Sequence, residues 1–169
     1  GMVASEQGLA TQVGADILRQ GGNAVDAAVA VGFALAVVLP NAGNIGGGGF
    51  MVLHDAKSGG NYSVDFRETA PLKADRDMYL DKDGNVIDGR SLYTHFAVGV
   101  PGTVAGMEYA LKKWGTMSLA QVIAPAIKLA EKGFVVGPML ASTLKEEKDN
   151  LKSRCGPGAV AQACNPSTL

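Results

Sequence analysis

Cysteine is nearly absent from this chain of 169 residues: only Cys155 and Cys164 occur, both close to the C-terminal end. Their spacing matches neither CxxC nor a zinc knuckle, and no histidine lies near them, which removes a disulfide scaffold and a cysteine-based metal centre. Two ordinary thiols, or one local disulfide, are left. Histidine is equally scarce. His54 and His95 stand alone, with no HExxH context, and no G-x-S-x-G elbow occurs anywhere, so neither a zinc hydrolase nor a Ser/His/Asp hydrolase is marked. An excess of charge of one sign is missing too. Fifteen basic against sixteen acidic residues leave a net charge of -1, and Lys112-Lys113 is the only adjacent basic pair. Nothing here draws the chain to nucleic acid or to an anionic membrane. The longest apolar run, Ala24–Leu39, contains Asp26 and falls short of the roughly 20 residues a membrane span needs. It reads as a buried helix. No basic segment precedes it, and the opening GMVASE begins in full structural stride, so any targeting segment is expected upstream.

Glycine, by contrast, is abundant, and Asn41–Phe50 (NAGNIGGGGF) holds five glycines in ten residues. A P-loop requires Lys and then Ser or Thr straight after its last glycine, but Gly49 is followed by Phe50 and Met51. The dinucleotide fingerprint fails as well, because Met51 and Val52 occupy the places of its third glycine. A turn where backbone packs closely on backbone fits better. The hydrophobic fraction of 47% and the length predict one domain with a real core.

Along the chain, Ser5 is a candidate cap for a helix through Leu9, Val13 and Ile17, which Gly21-Gly22 stops. Asn23 caps a second helix, Ala24–Val38, apolar on nearly all sides and therefore central; Pro40 ends it. Phe50–Asp55 and Tyr62–Arg67 read as strands joined by the turn Lys57–Asn61, a hairpin. Residues 70–100 are irregular. Asp81–Asn85 is a strong turn signal, but a calcium loop with Gly84 at its sixth place would start at Tyr79, not at a carboxylate. Helical patterns return at 102–114, 118–132 and 138–152, with Ser118 as a cap, Gly133 as a stop, Pro138 in a first turn and Pro125 as a kink. No internal repeat is visible. The fold class expected is α+β.

Among the polar residues Arg67 carries most information. Alternation in the second strand puts Tyr62, Val64 and Phe66 on one face and Ser63, Asp65 and Arg67 on the other. A planar guanidinium can grip a carboxylate with two parallel hydrogen bonds. The plainer alternative is a surface arginine paired with Asp65 or Glu68, and spacing alone favours it.

Several blocks change those weights. GMVASEQGLATQVGADILRQGGNAVDAAVAVGFALAV, NAGNIGGGGFM, VDFRETAP and AVGVPGTVAGMEYALKKWGTM, in order over residues 1–150, resemble the large subunit of gamma-glutamyltransferases, the glutathione hydrolases. The resemblance implies an N-terminal-nucleophile hydrolase with an αββα sandwich, of which this chain would hold part. It implies a self-cleaving zymogen in which the new N-terminal Thr of a small subunit attacks the gamma-glutamyl amide. Water or an amine then releases the glutamyl group. Arg67 in VDFRETAP matches the arginine that holds the substrate's alpha-carboxylate, which shifts the preference from surface residue to ligand. The implied partners are a gamma-glutamyl substrate such as glutathione and the small subunit of the same precursor; no cofactor and no metal are implied. The implied location is periplasmic or secreted.

Departures from the family pattern matter as much. The sequence ends at Leu169 without a matching nucleophile, so no catalytic residue is carried over and the chain alone is expected to be inactive. Thr168 lacks the context such a nucleophile requires. Residues 1–154 are expected to be the family-like part, and residues 155–169 an unrelated, disordered tail that resembles a translated Alu repeat. Two alternatives stay open: a fragment of a related acylase or polyglutamate hydrolase, and a non-catalytic remnant with a scaffold or binding role.

Overall fold

Asn23 and Asp26 begin the helix around which the rest is built. The Asn23 side chain accepts from the N–H groups of Val25 and Asp26, and the Asp26 carboxylate accepts in return from the Asn23 N–H, a reciprocal capping box. The helix so started, α2 (Ala24–Val38), is apolar almost all round and buries Val25, Ala27, Val29, Ala30, Val31, Phe33, Ala34 and Val38. Such a helix is stable only inside other helices. In this computed structural model, which describes residues 1–154, α2 packs on α1 (Gly8–Arg19), α4 (Thr103–Trp114) and α5 (Leu119–Lys132). Ile17, Met107, Leu111, Val122 and Ala126 close the core around it. Gly32 sits where a Cβ would run into the Met107 side chain, so α2 and α4 approach through an absent side chain.

The hairpin pairs β1 (Phe50–Asp55) with β2 (Gly60–Asp65) antiparallel, Phe50 opposite Asp65 and Asp55 opposite Gly60. Gly59, at φ +69, makes the turn that a side chain would strain. β2 lies against α4, where Tyr62 meets Trp114 with ring centroids 5.2 Å apart and Tyr109 adds an edge-on contact at 6.0 Å. The Lys113 ammonium stands 4.6 Å from the Trp114 ring and donates to the Tyr109 hydroxyl at 3.1 Å. Among the described residues this is the sheet, and the fold is α+β, as expected.

Residues 1–133 form one compact unit and a second begins at Phe134, containing α6 (Pro138–Arg154). Three local expectations are corrected. Ser5 is not the cap of α1; Gln7 is, accepting from the Leu9 N–H, while Ser5 Oγ donates to the Gln7 carbonyl and pairs with Thr11 Oγ1. The second strand runs Gly60–Asp65 rather than 62–67: it starts two residues earlier, opposite Asp55, and past Phe66, which still bonds Gly49 in register, the chain turns to Val100 at Thr69. A short helix, α3 (Arg90–Tyr93), and a 3-10 turn at His95–Ala97 occupy the stretch read as irregular. Ser118 caps α5 with Gln121 in a second capping box, Gly133 ends it at φ +72, and the helix continues through Pro125. The tail expected from Cys155 onward lies outside the described residues.

Candidate functional site

Arg67 lies two residues past the end of β2, and its backbone is fixed from two sides. The Phe66 N–H donates to the Gly49 carbonyl at 3.0 Å, while Thr69 and Val100 exchange N–H and C=O bonds as an isolated bridge. The Arg67 N–H donates to Asp65 Oδ1 at 3.0 Å. The glycine run presses against this segment. A Cβ on Gly48 would stand 2.5 Å from the Glu68 nitrogen and 2.7 Å from the Arg67 Cα; one on Gly49 would meet the Phe66 ring at 2.9 Å. None of Gly46–Gly49 has positive φ, so what the run requires is room, not left-handed backbone. That answers why the glycines are tolerated.

The loop that delivers them is itself braced. Asn44 Oδ1 accepts from the Gly47 N–H at 3.0 Å and from the Thr103 hydroxyl at 2.6 Å, across 59 residues. The Gly47 carbonyl accepts from the N–H groups of Gly102 and Thr103. Gly102 and Gly106, at the start of α4, leave space for the Phe66 carbonyl and ring respectively. Sequence reading did not single out Asn44, Thr103 or Gly102, and their separation explains why. The signal available was the pair of glycine-rich blocks, one before β1 and one before α4.

The Arg67 side chain is exposed and makes no ion pair or hydrogen bond among the described residues. The pairing with Asp65 or Glu68 that spacing favoured is therefore absent: Asp65 bonds the Arg67 backbone instead. An arginine with a pinned backbone and a free guanidinium suits a carboxylate ligand, because little backbone entropy remains to be lost on binding.

His54 and His95 are not brought together in one element. His54 Nδ1 lies 2.8 Å from Asn61 Oδ1 across the hairpin, and His95 stacks on Phe96 at 4.3 Å. Among the described residues the buried charge is elsewhere. Asp26 is fully buried and accepts four hydrogen bonds, from the N–H groups of Asn23, Thr116 and Met117 and from the Thr116 hydroxyl. Burial alone pushes its carboxyl up; the donors around it, the Thr116 hydroxyl first, outweigh that and hold it below the usual value. Asn23 Nδ2 also donates to the Trp114 carbonyl at 2.6 Å, so one capping box ties α2 to the α4–α5 connection. Asp26 serves structure, not chemistry. No described helix is long and apolar enough to cross a membrane.

A concavity of about 340 Å³ opens between Pro71 and Phe96, lined by Lys73, Asp75, Met78, Arg90, His95 and Phe96. The Arg90 guanidinium lies over the Phe96 ring, 4.1 Å from its centroid.

The profile of the family described as gamma-glutamyltranspeptidase matches residues 10–166, a span that runs past residue 154. The chain is 60% identical over 145 residues to the glutathione hydrolase proenzyme of Escherichia coli, covering 86% of this chain and 25% of that protein. The crystal structure of Helicobacter pylori gamma-glutamyltranspeptidase superposes with a TM-score of 0.87 at 56% identity, covering 90% of this chain and 44% of that one. A more distant relative, the acylase ACY 1 proenzyme of a Pseudomonas, is 41% identical over 166 residues, covering 95% of this chain and 30% of that protein. The chain spans about a quarter of the length of the curated glutathione hydrolases it matches.

Proposed function

The chain belongs to the gamma-glutamyltranspeptidase family, and from that premise we propose that it supplies the substrate anchor of a glutathione hydrolase whose nucleophile lies outside these 169 residues. The observation that carries this reading is Arg67, backbone pinned by the glycine run and guanidinium free. Its fork would take the alpha-carboxylate of a gamma-glutamyl group and hold the gamma-carbonyl at a fixed distance, which is how a positioning contact lowers the barrier to attack. The attacking group would be the N-terminal Thr of a small subunit released by self-cleavage, its own amine acting as base. Water or an amino acceptor would then free the glutamyl group. Partners would be a gamma-glutamyl amide such as glutathione and that small subunit, in a periplasmic or secreted setting. An acylase reading is less well supported, since a free arginine fork fits a glutamyl carboxylate better than a bulky acyl group.

The test is a chimera in which this chain replaces its counterpart in the Escherichia coli proenzyme. We expect self-cleavage and release of nitroaniline from a gamma-glutamyl anilide, and no release above a blank from the 169-residue chain alone. A chimera that cleaves itself but turns over no gamma-glutamyl substrate would overturn the reading.

A further inference from the structure

We propose that the concavity between Pro71 and Phe96 is a second carboxylate-recognition site, built for the C-terminal carboxylate of a short peptide. Three nitrogen-bearing side chains line it, Lys73, Arg90 and His95, against one acid, Asp75. Among the described residues, no side chain or backbone acceptor takes a hydrogen bond from any of the three. Arg90 is half-buried and held over Phe96, and a guanidinium so placed keeps its N–H edge available while its direction is fixed. His95 stacks on the same ring. Tyr79 donates to the Phe96 carbonyl at 3.1 Å, which steadies the floor. Met78 and Phe96 give that floor an apolar surface, so the ligand that fits is a carboxylate carried on a small, partly apolar body rather than a bare inorganic ion.

Position gives the site its meaning. The segment that forms it leaves the body at Thr69 and returns at Val100, and those two residues are bridged just beyond Arg67. Pro71 is four residues from Arg67, so their Cα atoms are at most about 14 Å apart. The two terminal carboxyl carbons of glutathione are separated by about ten bonds, roughly 12 Å when extended. A tripeptide of that length therefore reaches from Arg67 to the Pro71 edge of the concavity. That identification of the ligand rests on the proposed function; the carboxylate site itself does not.

The two histidines make the experiment simple. Proton NMR of the 169-residue chain resolves one imidazole in the site, His95, and one on the hairpin, His54, as an internal control. Titration with diglycine is expected to shift the His95 ring signal to saturation and leave His54 unmoved, while diglycinamide, which lacks the carboxylate, moves neither. Lys73→Gln, at an exposed position, and Arg90→Gln should each weaken diglycine binding at least tenfold. No His95 shift, an equal shift with diglycinamide, parallel movement of His54, or a response to inorganic phosphate alone would each overturn the site. In the chimera, Lys73→Gln should raise KM for glutathione several-fold and leave KM for a gamma-glutamyl anilide unchanged. Equal effects on both substrates would refute the spanning ligand. A chimera inactive toward both would count against the proposed function and leave the His95 titration standing.

Discussion

Replacing Asp26 by Asn tests the central joint of the molecule with a change of almost no volume. The carboxylate accepts from three backbone N–H groups and one hydroxyl, at 2.6–3.0 Å, in full burial. An amide oriented to keep its oxygen toward Thr116 and Met117 must turn its NH2 toward the Asn23 N–H, which then loses its acceptor. The Thr116 hydroxyl can rotate and accept. One buried donor is thus left unsatisfied and two charge-assisted bonds become neutral ones, together about 2–4 kcal/mol. For a domain of this size that lowers Tm by about 5–15 °C, read by circular dichroism. The loss has a pH signature. Because the folded-state carboxyl is held below its ordinary 3.8, its contribution is fully present above that value and is lost as pH falls through the lowered one. The gap between wild type and Asp26→Asn should therefore be constant from pH 8 to 5 and narrow below about pH 4. A Tm within about 1 °C of wild type at pH 7, or a gap that widens in acid, would refute the assigned hydrogen bonding.

Three further outcomes follow from the same contacts. Gly48→Ala forces backbone at Arg67 and Glu68 to move and should cost about 1–3 kcal/mol, whereas Gly46→Ala, with nothing within 4 Å and no positive φ, should stay within about 1 kcal/mol of wild type; urea midpoints compare them. In the chimera, Arg67→Lys should raise KM for the gamma-glutamyl anilide by about tenfold or more, because one ammonium replaces a two-pronged grip, and an unchanged KM would remove Arg67 from the site. If residues 155–169 are foreign to the domain, deleting them should leave Tm unchanged within about 1 °C; since the family match extends to residue 166, a clear drop would assign them to the fold.

What could be read from sequence was what local chemistry decides. The bounds of α2 follow from a cap at Asn23 and an exit before Pro40, and those of β1 from a short apolar run between the glycines and the Lys57–Asn61 turn. What could not be read depends on partners far along the chain. Asp26 looked like a blemish in an apolar run because its donors, Thr116 and Met117, lie about ninety residues away. Phe66 still bonds Gly49 in the hairpin register, but by Thr69 the chain takes its partner from Val100, a change of partner that no period-two pattern reveals. α3 is four residues, too short for any periodicity to register. Arg67 was visible as a face and a charge; its free guanidinium and its crowded backbone were not, and the crowding comes from glycines that meet it only in three dimensions.

Trp114 is the only tryptophan in the chain, and its surroundings make it a built-in optical probe. It lies within energy-transfer range of Tyr62 on the hairpin and Tyr109 on its own helix, beside the Lys113 ammonium, with its carbonyl bonded to Asn23. Emission from this single indole therefore reports three docking events at once: the hairpin on α4, the end of α4, and the start of α2. Loss of the Tyr62 share of the tyrosine-sensitised component, with the Tyr109 share kept, would mark release of the hairpin, and with it the backbone that holds Arg67, while the helices stay packed.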